Sequence, residues 1–290
     1  MVVGFARPTA PMACRPIIVR SPDQADLLWW DEFCTMNVAR FVPRGTGRAI
    51  AVVAKGCDSR NLVVLHQEGR IDLTGEVTVL GVPCRGMIDA ELVRRAVDDP
   101  DAIAEVLVDG QTVSVDGTAL RRDDVLRESC AGCRHPNPVI ADELMTAEVP
   151  VEGGESRHGG IEHLQSLSPT ARLTYFNGLF ADCIACYACR DACPLCYCET
   201  CFSETSKALW LDEPAADSDA LSFHFFRALH LAGRCTDCGA CESACPVHIP
   251  VRLLAAQAGA ALENASGFEA GLAIDAAAPV QLFQPALHEE

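Results

Sequence analysis

The stretch CIACYACRDACP at residues 183–194 recurs at residues 235–246 as CTDCGACESACP, and both copies follow the pattern C-x2-C-x2-C-x3-C-P. Three cysteines at intervals of three can surround one face of an iron–sulfur cube. The fourth cysteine, followed by proline, reaches the cube held by the other copy. The repeat therefore predicts a pair of [4Fe–4S] clusters with a small domain folded around them.

The exchange of the fourth cysteine divides the thiolates into two sets. One cluster is predicted to bind Cys183, Cys186, Cys189 and Cys245, and the other Cys235, Cys238, Cys241 and Cys193. Structural zinc and buried free thiols are the alternatives, but zinc sites typically use two C-x2-C pairs rather than a run of four cysteines. Over residues 183–250 the chain resembles bacterial-type dicluster ferredoxins, apart from the long spacer at residues 194–234.

That spacer opens with three further cysteines, Cys196, Cys198 and Cys201 (PLCYCETC). They could shield the clusters, form a redox pair, or help to bind a further metal together with Cys14 or Cys34. The spacing supplies no full ligand set for such a metal, so these alternatives stay open at this point. Later in the spacer, residues 220–232 predict a helix, and its histidines are interpreted as packed or surface-facing rather than as ligands.

The first half of the chain has the pattern of an α/β domain. Apolar runs rich in β-branched residues at 48–54 and 76–82 predict two buried parallel strands. Helices predicted after each strand give a right-handed βαβ arrangement. A hairpin is predicted over 104–120, with Asp109-Gly110 as its turn, and a helix over 25–42.

Cysteines follow both of these strands. Cys57 comes after the first and Cys84 after the second, so both are predicted at the edge of the sheet where ligands bind in open α/β folds. Cys130 and Cys133 form a C-x2-C pair in a later loop. Together the four cysteines predict a third [4Fe–4S] site, with a four-thiolate zinc site as the alternative.

Three segments of this region, AVVAKGCDSRNL, VTVLGVPCRG and SCAGCRHPNPVIADE, resemble the beta subunits of deazaflavin-reducing hydrogenases and formate dehydrogenases. The resemblance spans about residues 48–145, and its matching positions are Cys57, Cys84, Cys130, Cys133, Ala141 and Asp142. It implies a [4Fe–4S] cluster beside an FAD. The residues Lys55, Arg60 and Arg85 flank this site and could hold a flavin phosphate, offset cluster charge or simply be solvated at the surface. Gly56 stands where the family usually has proline, and the cysteine repeat follows this region instead of preceding it.

Composition limits the possible partners and location. The chain has 290 residues, 17 cysteines and a net charge of −17, which argues against a nucleic-acid surface or an anionic membrane surface. No apolar run approaches the roughly 20 residues that a membrane span requires, and no signal peptide is recognised. Because metal-binding thiolates must stay reduced, the predicted location is the cytoplasm.

These patterns predict an α/β N-terminal domain with a short parallel sheet, followed by a mostly helical and loop-rich α+β dicluster ferredoxin-like domain. The predicted boundaries are 1–147 for the first domain, 148–167 for a linker, 168–265 for the second domain and 266–290 for a C-terminal tail.

The predicted function is that of a non-catalytic electron-transfer subunit with three [4Fe–4S] clusters in a multi-subunit oxidoreductase of anaerobic metabolism. By resemblance, its partners are a hydrogenase or formate dehydrogenase catalytic subunit, or a heterodisulfide-reductase-like flavoprotein. Two alternatives remain. One is a flavin-containing subunit acting on a deazaflavin or nicotinamide, and the other is a thiol–disulfide redox protein.

Overall fold

The computed structural model describes residues 1–45, 47–151, 159–204, 217–276 and 278–279. The strands of the N-terminal region are β1 Val2–Ala6, β2 Arg15–Val19, β3 Leu28–Trp29, β4 Ile50–Ala54, β5 Val77–Gly81, β6 Val106–Asp109, β7 Thr112–Val115, β8 Thr118–Arg121 and β9 Glu143–Leu144. Its helices are α1 Gly56–Gln67, α2 Ala90–Arg95, α3 Arg122–Val125 and α4 Glu128–Ala131.

The main sheet has the order β2-β1-β4-β5-β9, and β3 pairs with the last two residues of β1, Phe5 and Ala6. Strands β1, β4, β5 and β9 run parallel to one another, while β2 and β3 run antiparallel to β1. The two central strands coincide with the predicted apolar runs, and Ala54 pairs with Gly81 at their carboxyl ends. The predicted parallel α/β region is therefore confirmed.

The predicted hairpin forms as β6 and β7, but its turn lies one residue later than predicted, at Gly110-Gln111, because Asp109 pairs with Thr112; β8 extends the hairpin to a three-stranded antiparallel sheet. The predicted helix over residues 25–42 is wrong. In its place lie 3₁₀ turns at Pro22–Leu27 and Val38–Phe41, separated by β3. Tertiary pairing overrides the helical pattern here, because Leu28 and Trp29 add a strand to β1.

The C-terminal region is built from α5 Gly159–Ser166, α6 Pro169–Phe180, α7 Ala188–Asp191, α8 Asp217–Leu231, α9 Ala240–Ser243 and α10 Arg252–Ser266. Helix α6 begins as predicted, since the Ser168 hydroxyl accepts a hydrogen bond from the backbone N–H of Ala171 and Pro169 occupies the first turn. Within residues 159–204 and 217–276 no strand is present. The expected α+β character of this region is thus corrected to helices and loops.

One hydrophobic core runs from the sheet into the helical region. Cys193, Leu231 and Ala255 are buried in the same cluster as Val52 and Leu62. A second cluster lies within the helical region and includes residues of α5, which begins inside the predicted linker. Residues 152–158 of that linker, and residues 277 and 280–290 of the predicted tail, lie outside the described residues. In the described part of the chain, no helix is both long enough and apolar enough to cross a bilayer.

Candidate iron–sulfur sites

The two copies of the cysteine repeat form loops with the same backbone. Ala185 and Tyr187 have positive φ angles of 52° and 57°, and Asp237 and Gly239 at the equivalent positions have φ angles of 61° and 69°. Each loop leads into a one-turn helix, α7 or α9, and in both the fourth cysteine donates its N–H to the carbonyl three residues earlier. The sequence repeat is therefore a structural repeat.

What we call the first site comprises the cysteines that line one cavity of about 480 Å³, namely Cys183, Cys186, Cys189 and Cys245. Burial raises the pKa of Cys183, and it raises that of Cys189 to about 12. The structure thus brings together the four cysteines that the sequence assigned to one cluster. The remaining walls include Tyr187, Phe223 and His224.

The second site comprises Cys193, Cys235, Cys238 and Cys241, whose charges act on one another. Burial raises the pKa of Cys235 to about 12, and it raises that of Cys241 as well. Cys193 differs from these two. A hydrogen bond from the Cys196 thiol lowers the pKa of Cys193, so this sulfur favours the thiolate form that binds iron.

Helix α8 adds two polar side chains that face these sites. The Nε2 atom of His224 lies 3.5 Å from the sulfur of Cys183, and its ring stacks on Phe180. Burial, together with the nearby charge of Arg227, lowers the pKa of His224 to about 4, so the imidazole is neutral at pH 7. The helix is therefore part of the wall of the first site.

Arg227 lies between the first and second sites and is 4% exposed. Its Nη2 donates to the carbonyl of Cys189 at 3.1 Å. Burial opposes its charge, but the surrounding sulfurs, Cys241 and Cys193 foremost, outweigh that effect and raise the pKa of Arg227 well above its ordinary value. Arg227 was not singled out from the sequence, although a lone cation within the apolar run FHFFRALHL is a signal for it.

Two observations test whether these residues fit [4Fe–4S] clusters. A tetrahedral zinc ion places its thiolate ligands about 3.8 Å apart. In the described part of the chain, no three sulfurs of the first, second or third site lie within 4.8 Å of one another. A cubane instead binds each thiolate through a different iron. In addition, the buried Nε of Arg227 has no hydrogen-bond acceptor in the protein, and a cluster sulfide would supply one.

The third site comprises Cys57, Cys84, Cys130 and Cys133, which line one cavity of about 380 Å³. Cys57 lies in the first turn of α1, directly after β4. Cys84 follows β5, and its N–H donates to the carbonyl of Pro136. The placement predicted from the strand ends is therefore observed, and burial raises the pKa of Cys84 to about 12.

Two of the three basic side chains predicted near the third site, those of Lys55 and Arg60, are already paired. Lys55 is buried, contacts Asp58 at 2.9 Å and donates to the carbonyls of Cys34 and Met36. Arg60 contacts Glu269 at 2.9 Å and donates to the carbonyl of Ala270. These pairings offset buried negative charge and do not favour the alternative role of these two residues as holders of a flavin phosphate.

Backbone packing explains the departure at Gly56 from the family pattern. A Cβ atom at this position would lie 2.0 Å from the carbonyl oxygen of His135. Of the two later family positions, Asp142 uses its carboxylate to accept the N–H of Val79 at 2.7 Å. Ala141 packs beside Gly81. These two residues thus fasten the loop that follows Cys133 to β5.

The second site and the third site are neighbours. Cys238, a member of the second site, also lines the cavity of the third. The loop that carries it is held by the N-terminal region, since Asn61 of α1 donates to the Thr236 hydroxyl at 2.7 Å and Arg127 donates to the carbonyl of Gly239. Thr236 is accordingly only 4% exposed.

The equivalent loop of the first site faces solvent. Ile184, which corresponds to Thr236 in the repeat, is 63% exposed, and Cys186 is exposed as well. Val247, which also lines this cavity, is 37% exposed. The apolar rim around a cysteine of the first site contrasts with the covered loop of the second.

The spacer cysteines have separate positions. Cys196 contacts Cys193 and Arg227, whereas Cys198 is exposed and Cys201 is half-buried. In the part of the chain that the structure describes, none of them joins Cys14 or Cys34 in a compact group of metal ligands. Of the three roles left open by the sequence, shielding of a cluster fits the position of Cys196, which lies beside the second site.

Comparison with known proteins agrees with this arrangement. Residues 180–249 match the 4Fe-4S dicluster domain. The dicluster domain thus includes every cysteine of the first and second sites. A relative, the F420-dependent formate dehydrogenase subunit beta of Methanocaldococcus jannaschii, is 36% identical over 91 residues, which cover 31% of this chain and 23% of the relative.

Both resemblances predicted from the sequence are confirmed by these matches. They support [4Fe–4S] clusters as cofactors and an iron–sulfur electron-transfer subunit of an oxidoreductase as the function. Because the match spans about a quarter of the relative, the number of clusters, the substrate and the partners of this chain are matters for a proposal.

Proposed function

We propose that this chain is an electron-transfer subunit of a multi-subunit oxidoreductase, with three [4Fe–4S] sites arranged in the order third, second, first. The contact that carries the proposal is Cys238, which belongs to the second site and lines the cavity of the third. A [4Fe–4S] cluster, when bound, accepts and releases one electron at a time.

The surroundings of the sites indicate which site is buried within the chain and which one faces a partner. The third and second sites lie where the N-terminal region and the dicluster domain meet, covered by Asn61, Arg127 and Thr236. The first site has Cys186 and Ile184 at the surface. An exposed ligand with an apolar rim suits contact with the redox centre of a partner, since partners exchange electrons through short distances and a dry contact. We therefore propose that the first site faces one partner.

The residues of this chain tune and protect the sites and carry out no chemistry on a substrate. Arg227 places one buried positive charge between the first and second sites, and the Lys55–Asp58 pair lies beside the third. The proposed partners are a formate dehydrogenase or hydrogenase catalytic subunit, or a heterodisulfide-reductase-like flavoprotein. In this proposal the FAD belongs to the partner, because Lys55 and Arg60 are already paired.

The experiment is anaerobic purification of the full chain, with iron, acid-labile sulfide and flavin measured on the same sample. We expect about twelve irons and an equal amount of sulfide per chain, since each cubane contains four. A flavin retained in proportion to the chain would favour the flavoenzyme alternative. Colourless protein, or zinc in place of iron in the dicluster domain, would contradict the proposal as a whole.

A second measurement tests the third site separately. The variant Cys84→Ser is expected to lose about four irons and leave about eight. An unchanged iron content in this variant would remove the third site from the proposal and leave the dicluster domain intact. Identification of the proteins that co-purify with the wild-type chain then names the partners.

A further inference from the structure

Outside the three iron–sulfur sites, one other group of metal-binding side chains is assembled in the described part of the chain. The ligand atoms of Cys14, Asp31 and Cys34 all lie within 4.8 Å of one another. Cys14 immediately precedes β2, and the other two belong to the turn after β3. The fold therefore brings two separate segments together at this point.

The ligand atoms of this group lie close enough together to share a single ion, with the sulfur of Cys34 at the separation expected for zinc ligands and the sulfur of Cys14 closer to the carboxylate. The sulfur of Cys14 lies 3.0 Å from Oδ1 of Asp31, and the sulfur of Cys34 lies 3.6 Å from the same oxygen. A tetrahedral zinc ion with ordinary bond lengths separates a thiolate sulfur from a carboxylate oxygen by about 3.6 Å. The same closeness distinguishes this group from the iron–sulfur sites, whose sulfurs lie farther apart.

Neighbouring groups hold the carboxylate in place. Trp29 donates its indole N–H to Oδ2 of Asp31 at 2.8 Å, which leaves Oδ1 directed at the two sulfurs. The N–H of Phe33 also donates to Oδ1 at 2.8 Å. Outer hydrogen bonds of this kind orient ligands in metal sites. On the other side, Lys55 fixes the turn by donating to the carbonyls of Cys34 and Met36.

We propose that Cys14, Asp31 and Cys34 form a mononuclear zinc site. Two thiolates and one carboxylate suit a borderline-soft divalent ion and exclude calcium or magnesium, which prefer oxygen ligands alone. Binding releases the thiol protons to solvent, and a water molecule completes the four-coordinate shell. Cys34 is buried, but Cys14 and Asp31 are partly exposed, so an ion has a route to the site.

The site lies behind the third iron–sulfur site. Thr35, the residue after Cys34, lines the cavity of the third site, and its carbonyl accepts a hydrogen bond from Arg127. A zinc ion would therefore pin the segment that covers that cavity to the start of β2. The proposal does not depend on electron transfer, because a structural ion at this position stands whether or not the three clusters act as a relay.

The test is metal analysis of the anaerobically purified full chain after dialysis against Zn²⁺ and then against zinc-free buffer. We expect about one zinc per chain in protein that keeps its full iron content. Cys14→Ser and Cys34→Ser should each lose at least nine-tenths of the zinc and retain the iron. Cys198→Ser, which changes an exposed cysteine elsewhere, is the matched control and should retain both metals.

X-ray absorption at the zinc edge identifies the ligands without interference from iron. The expected signal is two sulfurs at about 2.3 Å together with oxygen at about 2.0–2.2 Å, and Asp31→Asn should weaken zinc binding while keeping the sulfur signal. Cys14→Ser should disturb the fold less than Cys34→Ser, since Cys14 is less buried than Cys34.

Three outcomes would overturn the proposal. They are iron-replete protein that binds no zinc, zinc retained in the Cys14→Ser/Cys34→Ser double variant, and a Cys14–Cys34 disulfide in protein alkylated under anaerobic conditions.

Discussion

The cysteine loops of the first and second sites follow the same backbone path, but they differ in what covers them. Ile184 is 63% exposed, whereas Thr236 at the equivalent position is 4% exposed. An apolar residue thus faces water in one copy, and a polar residue is buried in the other, held by Asn61. The two copies of the motif differ because the N-terminal region covers the cysteine loop of the second copy, whereas its contact with the first copy, from Arg40 to the carbonyl of Asp191, leaves Ile184 exposed.

The largest test of this difference removes one ligand from each loop. Cys238→Ala and Cys186→Ala are each expected to lower the iron content by about four atoms per chain. Because Cys238 also lines the third site, its variant should additionally weaken the contact between the two regions and lower the melting temperature more than Cys186→Ala does. Iron analysis and anaerobic thermal unfolding measure both effects. Equal melting temperatures for the two variants would contradict the claim that the N-terminal region is held more firmly by the second loop than by the first.

The second test changes the left-handed position in each loop. A Cβ at Gly239 would lie 2.4 Å from Oγ of Ser129 and 2.6 Å from Nη2 of Arg127, and its φ is +69°. We expect Gly239→Ala to lower the free energy of unfolding by about 2–4 kcal/mol, from backbone strain and overpacking together.

Tyr187→Ala is the matched change, because residue 187 already has a positive φ in the wild-type chain. It loses an edge contact with Phe223, which is expected to cost about 1–2 kcal/mol. Denaturant unfolding under anaerobic conditions compares the two. A smaller effect at Gly239 than at Tyr187 would mean that the N-terminal region does not press on the second loop.

The third test concerns the charge shared by both sites. Arg227→Gln removes a buried cation that favours the more negative, reduced state, so the reduction potentials of the first and second sites should both fall. We expect a change on the order of 60 mV, which is tenfold in the equilibrium constant of a one-electron couple. Redox titration monitored by electron paramagnetic resonance measures it.

Arg190→Gln is the control for that test. Arg190 lies next to Cys189 but is already paired with Asp191 and Glu204, each at 2.9 Å. Its removal takes away a charge that those carboxylates largely compensate, so a smaller shift is expected. If Arg227→Gln moves the potential of one site only, Arg227 does not serve both.

The smallest effects are expected from substitutions at the covered Thr236 and at its exposed counterpart Ile184. Thr236→Val removes the hydrogen bond with Asn61 and should cost about 1–2 kcal/mol of stability. Ile184→Thr should change stability by less than about 0.5 kcal/mol but slow electron exchange with the co-purifying partner. Stopped-flow reduction and thermal unfolding separate the two. A partner rate unaffected by Ile184→Thr would place the contact elsewhere.

Prediction from sequence succeeded where the spacing of residues close together in the chain decides which side chains meet. The intervals of the repeat grouped eight of the cysteines in residues 180–249 into the two sets that the fold brings together, and the apolar runs located β4 and β5 with a cysteine after each. It failed over residues 25–42, where an apolar pattern typical of a helix forms turns and the short strand β3. Pairing of Trp29 with Phe5 decides that segment, and no local pattern encodes a partner so far away in sequence.

The sequence by itself determined which cysteines form sets, because the number of residues between thiolates limits how they can surround a cluster. Only the tertiary structure decided that the second loop is covered and the first is exposed, since that depends on α1 and Arg127 meeting Thr236 and Gly239 across more than one hundred residues. The same is true of Arg227 between two sites and of Asp31 between two sulfurs. Such contacts depend on how distant segments pack, and the spacing of residues along the chain does not predict them.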